Sequence, residues 1–244
     1  MTRYEGGKNK IGKEIHKKLV ALESCNGKTN LAYLEPFVGM AGVLRHFNEG
    51  ERELYACDAN ADIVSFWKHL QTDWTPPMFC NAETYNNAKL LPSPDPLRAF
   101  YGFGCSYGGC YFMGFAGKYS DRNYAKESYN AVMKVKPLIQ NVTFLEPQSY
   151  AEFEPCNMLI YCDPPYATAF SNSKLFKTFN SEAFWDTMRK WSSDNIVAIS
   201  EVSAPSDFIP IWSKRLARTN NTRKNIYRTS VPIDSLYIHE TLKR

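Results

Sequence analysis

Two adjacent prolines, Pro164 and Pro165, constrain this chain more than any other feature. They follow Met158-Leu159-Ile160-Tyr161-Cys162-Asp163, an apolar run ending in an acid, and they precede Tyr166. A short apolar run without alternation reads as a strand buried on both faces, the kind found in parallel sheets. Each proline fixes φ and removes a backbone donor, so the strand stops abruptly and leaves carbonyls without a ladder or helix partner. A carboxylate, stiff carbonyls and an aromatic ring are then presented at the carboxyl end of a strand, where open α/β sheets bind ligands. This set suits transfer to an exocyclic amine on a flat conjugated base, whose lone pair is delocalised into the ring. The Asp163 carboxylate and the Pro164 carbonyl can each accept one N–H, drawing the nitrogen toward tetrahedral geometry, and Tyr166 can stack on the ring. Asp and Pro are also ordinary turn residues, so a strand that simply ends in a turn is the competing reading.

With 244 residues the chain is long enough for one sizeable α/β domain carrying an insertion. No apolar run approaches membrane-spanning length and the basic N-terminus lacks an apolar signal core, so a soluble, intracellular protein is expected, in a bacterial cytoplasm or a virus-infected host cell. The seven cysteines include no C-x-x-C pair and the four histidines lack ligand spacing, which predicts free thiols and no metal. A pairing or metal role for Cys105 and Cys110 is the lesser alternative. The net charge of +4 is mild but clustered. Residues 3–18 carry six Lys and Arg against Glu5 and Glu14, and residues 214–228 carry six with no acid. Such patches suit a polyanion, although either alone could be a solvated face.

In chain order, Ile11, Ile15, Leu19 and Leu22 mark one face of a helix over 8–24, with Gly6-Gly7-Lys8 before it and Asn26-Gly27 closing it. Leu31 to Pro36 reads as a strand, Phe37 to Gly42 as a glycine-rich turn, and Val43, Leu44 and Phe47 as a helix running to Gly50. Glu53 to Asp58 reads as a second strand ending in an acid. Strand, glycine turn, helix, strand, acid is the order of a cofactor-binding α/β unit, and an acid there is placed to accept ribose hydroxyls. Asp58 could instead cap the helix marked by Ile63, Phe66, Trp67 and Leu70. From about Thr72 to Lys136 the rhythm breaks. Pro92-Ser93-Pro94-Asp95-Pro96 reads as a rigid loop, and Phe100 to Lys118 is dense in glycine and aromatics, with Arg122 and Lys126 downstream. Strands are expected at 142–145 and 196–200, a helix capped by Ser181, and two closing strands around Ile226-Tyr227 and Leu236-Tyr237-Ile238.

Glu35-Pro36-Phe37-Val38-Gly39-Met40-Ala41-Gly42, then Asp58, then Tyr161-Cys162-Asp163-Pro164-Pro165-Tyr166, resemble in that order the Dam-type DNA adenine-N6 methyltransferases. Tyr4-Glu5-Gly6-Gly7-Lys8 is similar to that family's N-terminal cofactor motif, and Phe103 to Gly109 and Ser200 to Pro205 look like a phage or large-virus branch. The resemblance implies a Rossmann-like α/β sheet, S-adenosylmethionine as cofactor, and adenine in double-stranded DNA as acceptor. It implies a catalytic domain at 1–72 and 137–244 and an inserted target-recognition region at 73–136. It implies a catalytic site of Asp163, Pro164 and Tyr166. The cofactor would be held by Tyr4, Lys8, Glu35, Phe37, Gly39, Gly42, Asp58 and Asp163. DNA would be held by Lys118, Arg122, Lys126, Arg218, Arg223 and Lys224. The bacterial recognition segment has no clear counterpart between residues 100 and 130, so its GATC specificity does not carry over. Glu146, the nearest acid for the cofactor's adenine, sits off the expected place.

The rivals are methylation of adenine in RNA and an inactive DNA-binding homologue. Asp163, where related motifs carry Ser for cytosine or Asn for glutamine, favours adenine, and no residue separates DNA from RNA. The oligomeric state stays open.

Overall fold

A computed structural model describes residues 4–48, 50–119, 121–165, 179–215 and 233–243. Its strands are β1 (Ala32–Glu35), β2 (Leu54–Ala56), β3 (Val142–Phe144), β4 (Met158–Cys162), β5 (Ile196–Glu201), β6 (Phe208–Arg215) and β7 (Ile233–His239). Among the described residues they form one sheet in the order β3-β2-β1-β4-β5-β7-β6. β1 to β5 run parallel, and β7 enters antiparallel between β5 and β6. This is the Rossmann-like α/β sheet expected from the sequence. The strand order reverses between β1 and β4, so their carboxyl ends bound the crevice where such sheets take ligands.

Alternation along β4 explains its unbroken apolar sequence. Leu159 and Tyr161 belong to the core on one face of the sheet, and Ile160 and Cys162 to the core on the other. The first face is covered by α1 (Gly12–Cys25) and α2 (Ala61–Leu70), the second by a helix at Ser181–Trp191. A strand sandwiched in this way is apolar along most of its length.

Between α2 and β3 lie α3 (Ala82–Leu90), α4 (Pro96–Gly104) and α5 (Tyr124–Met133), and the helix at Ser181–Trp191 is α6. Asn60, Asn81, Asp95, Asn123 and Asn180 each accept a backbone N–H at the start of α2 to α6 in turn. Such caps are worth about 1 kcal/mol each. Two expectations are corrected by them. The run 92–96 is not only a loop, because Asp95 caps α4 and Pro96 opens it, and α6 is capped by Asn180 rather than Ser181.

Two larger differences concern whole elements. The helix expected from Val43 to Gly50 is a single 3-10 turn at Leu44–His46. The helix α1, which precedes it in the chain, packs against that turn and over β4 and β5, so the face is already covered. The contact is close: a Cβ on Gly12 would lie 1.9 Å from the Gly42 carbonyl oxygen. The sheet also contains β6 at Phe208–Arg215, where the sequence marks no strand; the strand expected around Ile226 and Tyr227 lies outside the described residues.

Candidate active site

The loop after β1 is shaped by the segment that leads into α1. Gly39 has φ +44, and a Cβ there would meet the Tyr4 ring at 2.9 Å. A Cβ on Gly42 would lie 3.1 Å from the Lys8 backbone nitrogen. Gly39 is therefore required by the approach of the N-terminal segment, which forms one wall of the cavity above the sheet, and a side chain at Gly42 would crowd that segment. The Trp67 indole N–H donates to the Gly39 carbonyl at 2.8 Å and pins the loop from below.

Asp58 closes the next side. Its two oxygens accept the backbone N–H groups of Gly39 at 3.0 Å and Asn60 at 2.9 Å. Burial pushes its carboxyl up to about 6, while those two N–H bonds pull the other way. The capping duty considered for Asp58 is performed by Asn60, whose side chain accepts from the Asp62 N–H. Asp58 lines the cavity instead.

At the carboxyl end of β4, Asp163 and Pro164 face the same cavity. The Asp163 Oδ1 lies 2.8 Å from the Lys8 ammonium, which is only 4% exposed. The Lys8 ammonium also lies 3.3 Å from the Asp234 Oδ2, at the start of β7. Burial alone would lower the Lys8 pKa, but the two carboxylates outweigh it and hold it above the ordinary lysine value. Glu35, at the end of β1, is buried, accepts from the Tyr33 hydroxyl at 2.7 Å, and is pushed up to about 8 chiefly by burial. It is thus largely a neutral acid at pH 7.

Two further walls were not foreseen. Phe37 sits 5.4 Å from Tyr150 and 6.4 Å from Phe179, ring centre to ring centre, and all three line the cavity. On the other side Tyr4, Phe103 and Tyr111 form a chain of rings with centroids 4.8 and 4.7 Å apart. Phe103 and Tyr111 come from the segment between α2 and β3, so that segment completes the cavity. The Tyr111 hydroxyl bonds to Asp62, a buried acid that also accepts from Ser93 Oγ at 2.8 Å, Asp95 N at 2.9 Å and Arg98 Nε at 3.0 Å. Asp62 reads in the sequence only as an acid in a first helical turn, and its partners are 31 to 49 residues away.

One cavity of about 460 Å³ thus brings together Tyr4, Lys8, Glu35, Phe37, Gly39, Gly42, Asp58, Asp163 and Pro164. Ligand pockets commonly span roughly 300–1,000 Å³. Tyr166, Arg218, Arg223 and Lys224 lie outside the described residues. Lys118, on a 3-10 turn at Ala116–Tyr119, Arg122, just before α5, and Lys126, on α5, are exposed and away from the cavity. Arg122 pairs with Glu127 at 2.6 Å and covers the Tyr124 ring. Glu146 is exposed and paired with Lys68 at 2.5 Å, clear of the cavity. Cys105 is buried, and Cys110 is partly buried at the cavity wall.

Residues 4–96 match the family model of the D12 class N6 adenine-specific DNA methyltransferases. The matched stretch holds every cavity residue named from Tyr4 to Asp58, and Asp163 lies beyond it. No curated protein matches the chain.

Proposed function

We propose that this chain, an adenine-specific DNA methyltransferase by its match over residues 4–96, moves a methyl group from S-adenosylmethionine to N6 of an adenine drawn out of the duplex. The observation that carries the reading is that one cavity is lined by Asp163 and Pro164 on one side and by Phe37, Gly39 and Asp58 on the other. The side chains fit the donor's parts. Asp58 offers a half-buried carboxylate for ribose hydroxyls, Phe37, Tyr150 and Phe179 offer flat apolar faces for a ring, and Lys8 with Asp163 offers opposite charges for an amino-acid end. When bound, S-adenosylmethionine supplies an activated methyl group on a sulfonium.

The chain's own work is alignment and charge placement, with no covalent nucleophile. Asp163 and the Pro164 carbonyl accept the two N–H bonds of the target amine. They turn its lone pair toward the methyl carbon. The bound donor would supply the methyl carbon and keep the C–S electrons on its sulfur as the N–C bond forms, so that positive charge would develop on N6. Asp163 stabilises that charge, and one N6 proton then leaves through it. The base must leave the stack first, at a cost of a few kcal/mol, and stacking on Tyr166 would return roughly 1–3 kcal/mol. The exposed Lys118, Arg122 and Lys126 would hold phosphates from within the segment 73–136, which we assign to target recognition.

The test is transfer of tritium from labelled S-adenosylmethionine to DNA lacking adenine methylation, followed by nucleoside analysis. Label in N6-methyladenine is the expected result. Label in RNA alone, or none despite bound cofactor, would overturn the assignment of the acceptor.

A further inference from the structure

Lys8 needs two carboxylates, and only one of them belongs to the Asp-Pro-Pro turn. A buried ammonium is costly unless paired and hydrogen-bonded. Lys8 donates to the Gly6 carbonyl at 3.2 Å and meets Asp163 at 2.8 Å and Asp234 at 3.3 Å. Asp234 is itself buried, near the start of β7, where it pairs in register with Lys214 of β6, while its neighbour Ser235 pairs with Glu201 of β5. Three segments far apart in the chain thus meet at one ammonium.

We propose that Asp234 is a positioning residue for methyl transfer, sharing the Lys8 ammonium with Asp163 so that the site keeps a net negative charge for the amine. The inference rests on the role given to Asp163 above. A lone Lys8–Asp163 pair would be neutral, and its carboxylate would be largely spent on the ammonium. With Asp234 the three groups carry one net negative charge, which opposes the positive charge growing on the nitrogen. Four neighbouring titratable groups among the described residues, Tyr4, Glu35, Tyr161 and Cys162, do not supply it. From β1, Glu35 is pushed up to about 8 chiefly by burial. From β4, the Tyr161 phenol and the Cys162 thiol are raised well above their ordinary values by burial, with Asp163 adding to it, and from the N-terminal segment the Tyr4 phenol is raised likewise. These groups stay largely neutral near pH 7, and among the described residues the ion pairs at this ammonium are those with Asp163 and Asp234.

Asp234→Asn keeps the shape and removes the charge. In the labelled-methyl assay it lowers kcat by about tenfold or more while KM for S-adenosylmethionine stays within about twofold. In an Asp163→Asn background it costs little further, since the two act as a unit. Asp234→Glu restores most of the turnover. Without cofactor or DNA, the Lys8 ε-methylene resonance, assigned by its loss in Lys8→Gln, titrates about one pH unit or more lower in Asp234→Asn than in wild type. An unchanged Lys8 titration, an unchanged kcat, or an Asp234→Glu defect as deep as that of Asp234→Asn overturns the proposal. A wild-type protein that methylates no DNA is a different failure: it removes the methyl-transfer reading itself, and this inference with it.

Discussion

Asp163 and Asp58 are both carboxylates in one cavity, but their surroundings separate their tasks. Asp163 is set against an ammonium at 2.8 Å, whereas the Asp58 carboxylate accepts the backbone N–H groups of Gly39 and Asn60. Replacing Asp163 with Ala is expected to lower kcat by about 10²–10⁴-fold, the usual size of a lost proton acceptor. Cofactor affinity, read by calorimetry, should fall much less, and equal losses in both would reassign the residue to cofactor binding. Asp58 gives a pH signature. With its carboxyl near 6 rather than the ordinary 3.8, it is ionised at pH 7.5, the form that would accept the hydroxyls of the donor proposed above. S-adenosylmethionine binding should therefore weaken as pH falls below about 6, and Asp58→Asn should bind more weakly at pH 7.5 with that limb flattened. Stability runs the other way. A pKa raised on folding contributes stability that is complete below 3.8 and lost as pH rises through about 6, so loss of affinity in acid is not a sign of unfolding there.

At the scale of elements, Asp62 ties the start of α2 to the start of α4 and to Tyr111. Asp62→Ala leaves the Arg98 guanidinium and the Tyr111 hydroxyl without their acceptor, and breaking such a buried pair costs about 3–5 kcal/mol. The loss should appear first as faster hydrogen exchange between residues 93 and 111, with β1 and β4 still protected. Exchange rising equally across the sheet would show that the tie is not local. The elements legible in the sequence were those whose burial is set within themselves. β4 is apolar at nearly every position because both its faces are covered, and α1 shows its apolar stripe because one face is. β6 escaped because it is an edge strand that buries little and carries Pro210, Lys214 and Arg215, which read as loop. The expected helix at 43–50 failed because α1 already covers that face. Within the site, the motif residues were visible as motifs. Asp62 and Asp234 were not, because each is a single acid whose partners are brought to it only by the fold.

For the whole molecule the net charge is a mild +4, so any hold on phosphates depends on where the basic side chains lie and which of them are already paired. Each phosphate contact steepens the fall of log K with log salt by about 0.9. Arg122 already serves Glu127 at 2.6 Å, whereas the Lys126 side chain stands exposed on α5. Lys126→Gln should reduce the measured salt slope by close to one contact and Arg122→Gln by less, in filter binding between 50 and 200 mM salt at about those concentrations. The reverse order would mean that the Arg122–Glu127 pair opens on DNA.

The ring chain from Tyr4 through Phe103 to Tyr111 has a consequence for anyone wishing to retarget such an enzyme. The segment 73–136 looks from its borders like a cassette, entering after α2 and leaving before β3. It nevertheless donates wall to the chamber it would be expected merely to adjoin. A graft that exchanges it wholesale would carry off part of the wall of the cavity proposed above for the methyl donor. Modular swaps should therefore keep Phe103, Tyr111 and the Asp62 anchor as a fixed frame and vary only what lies outboard of them.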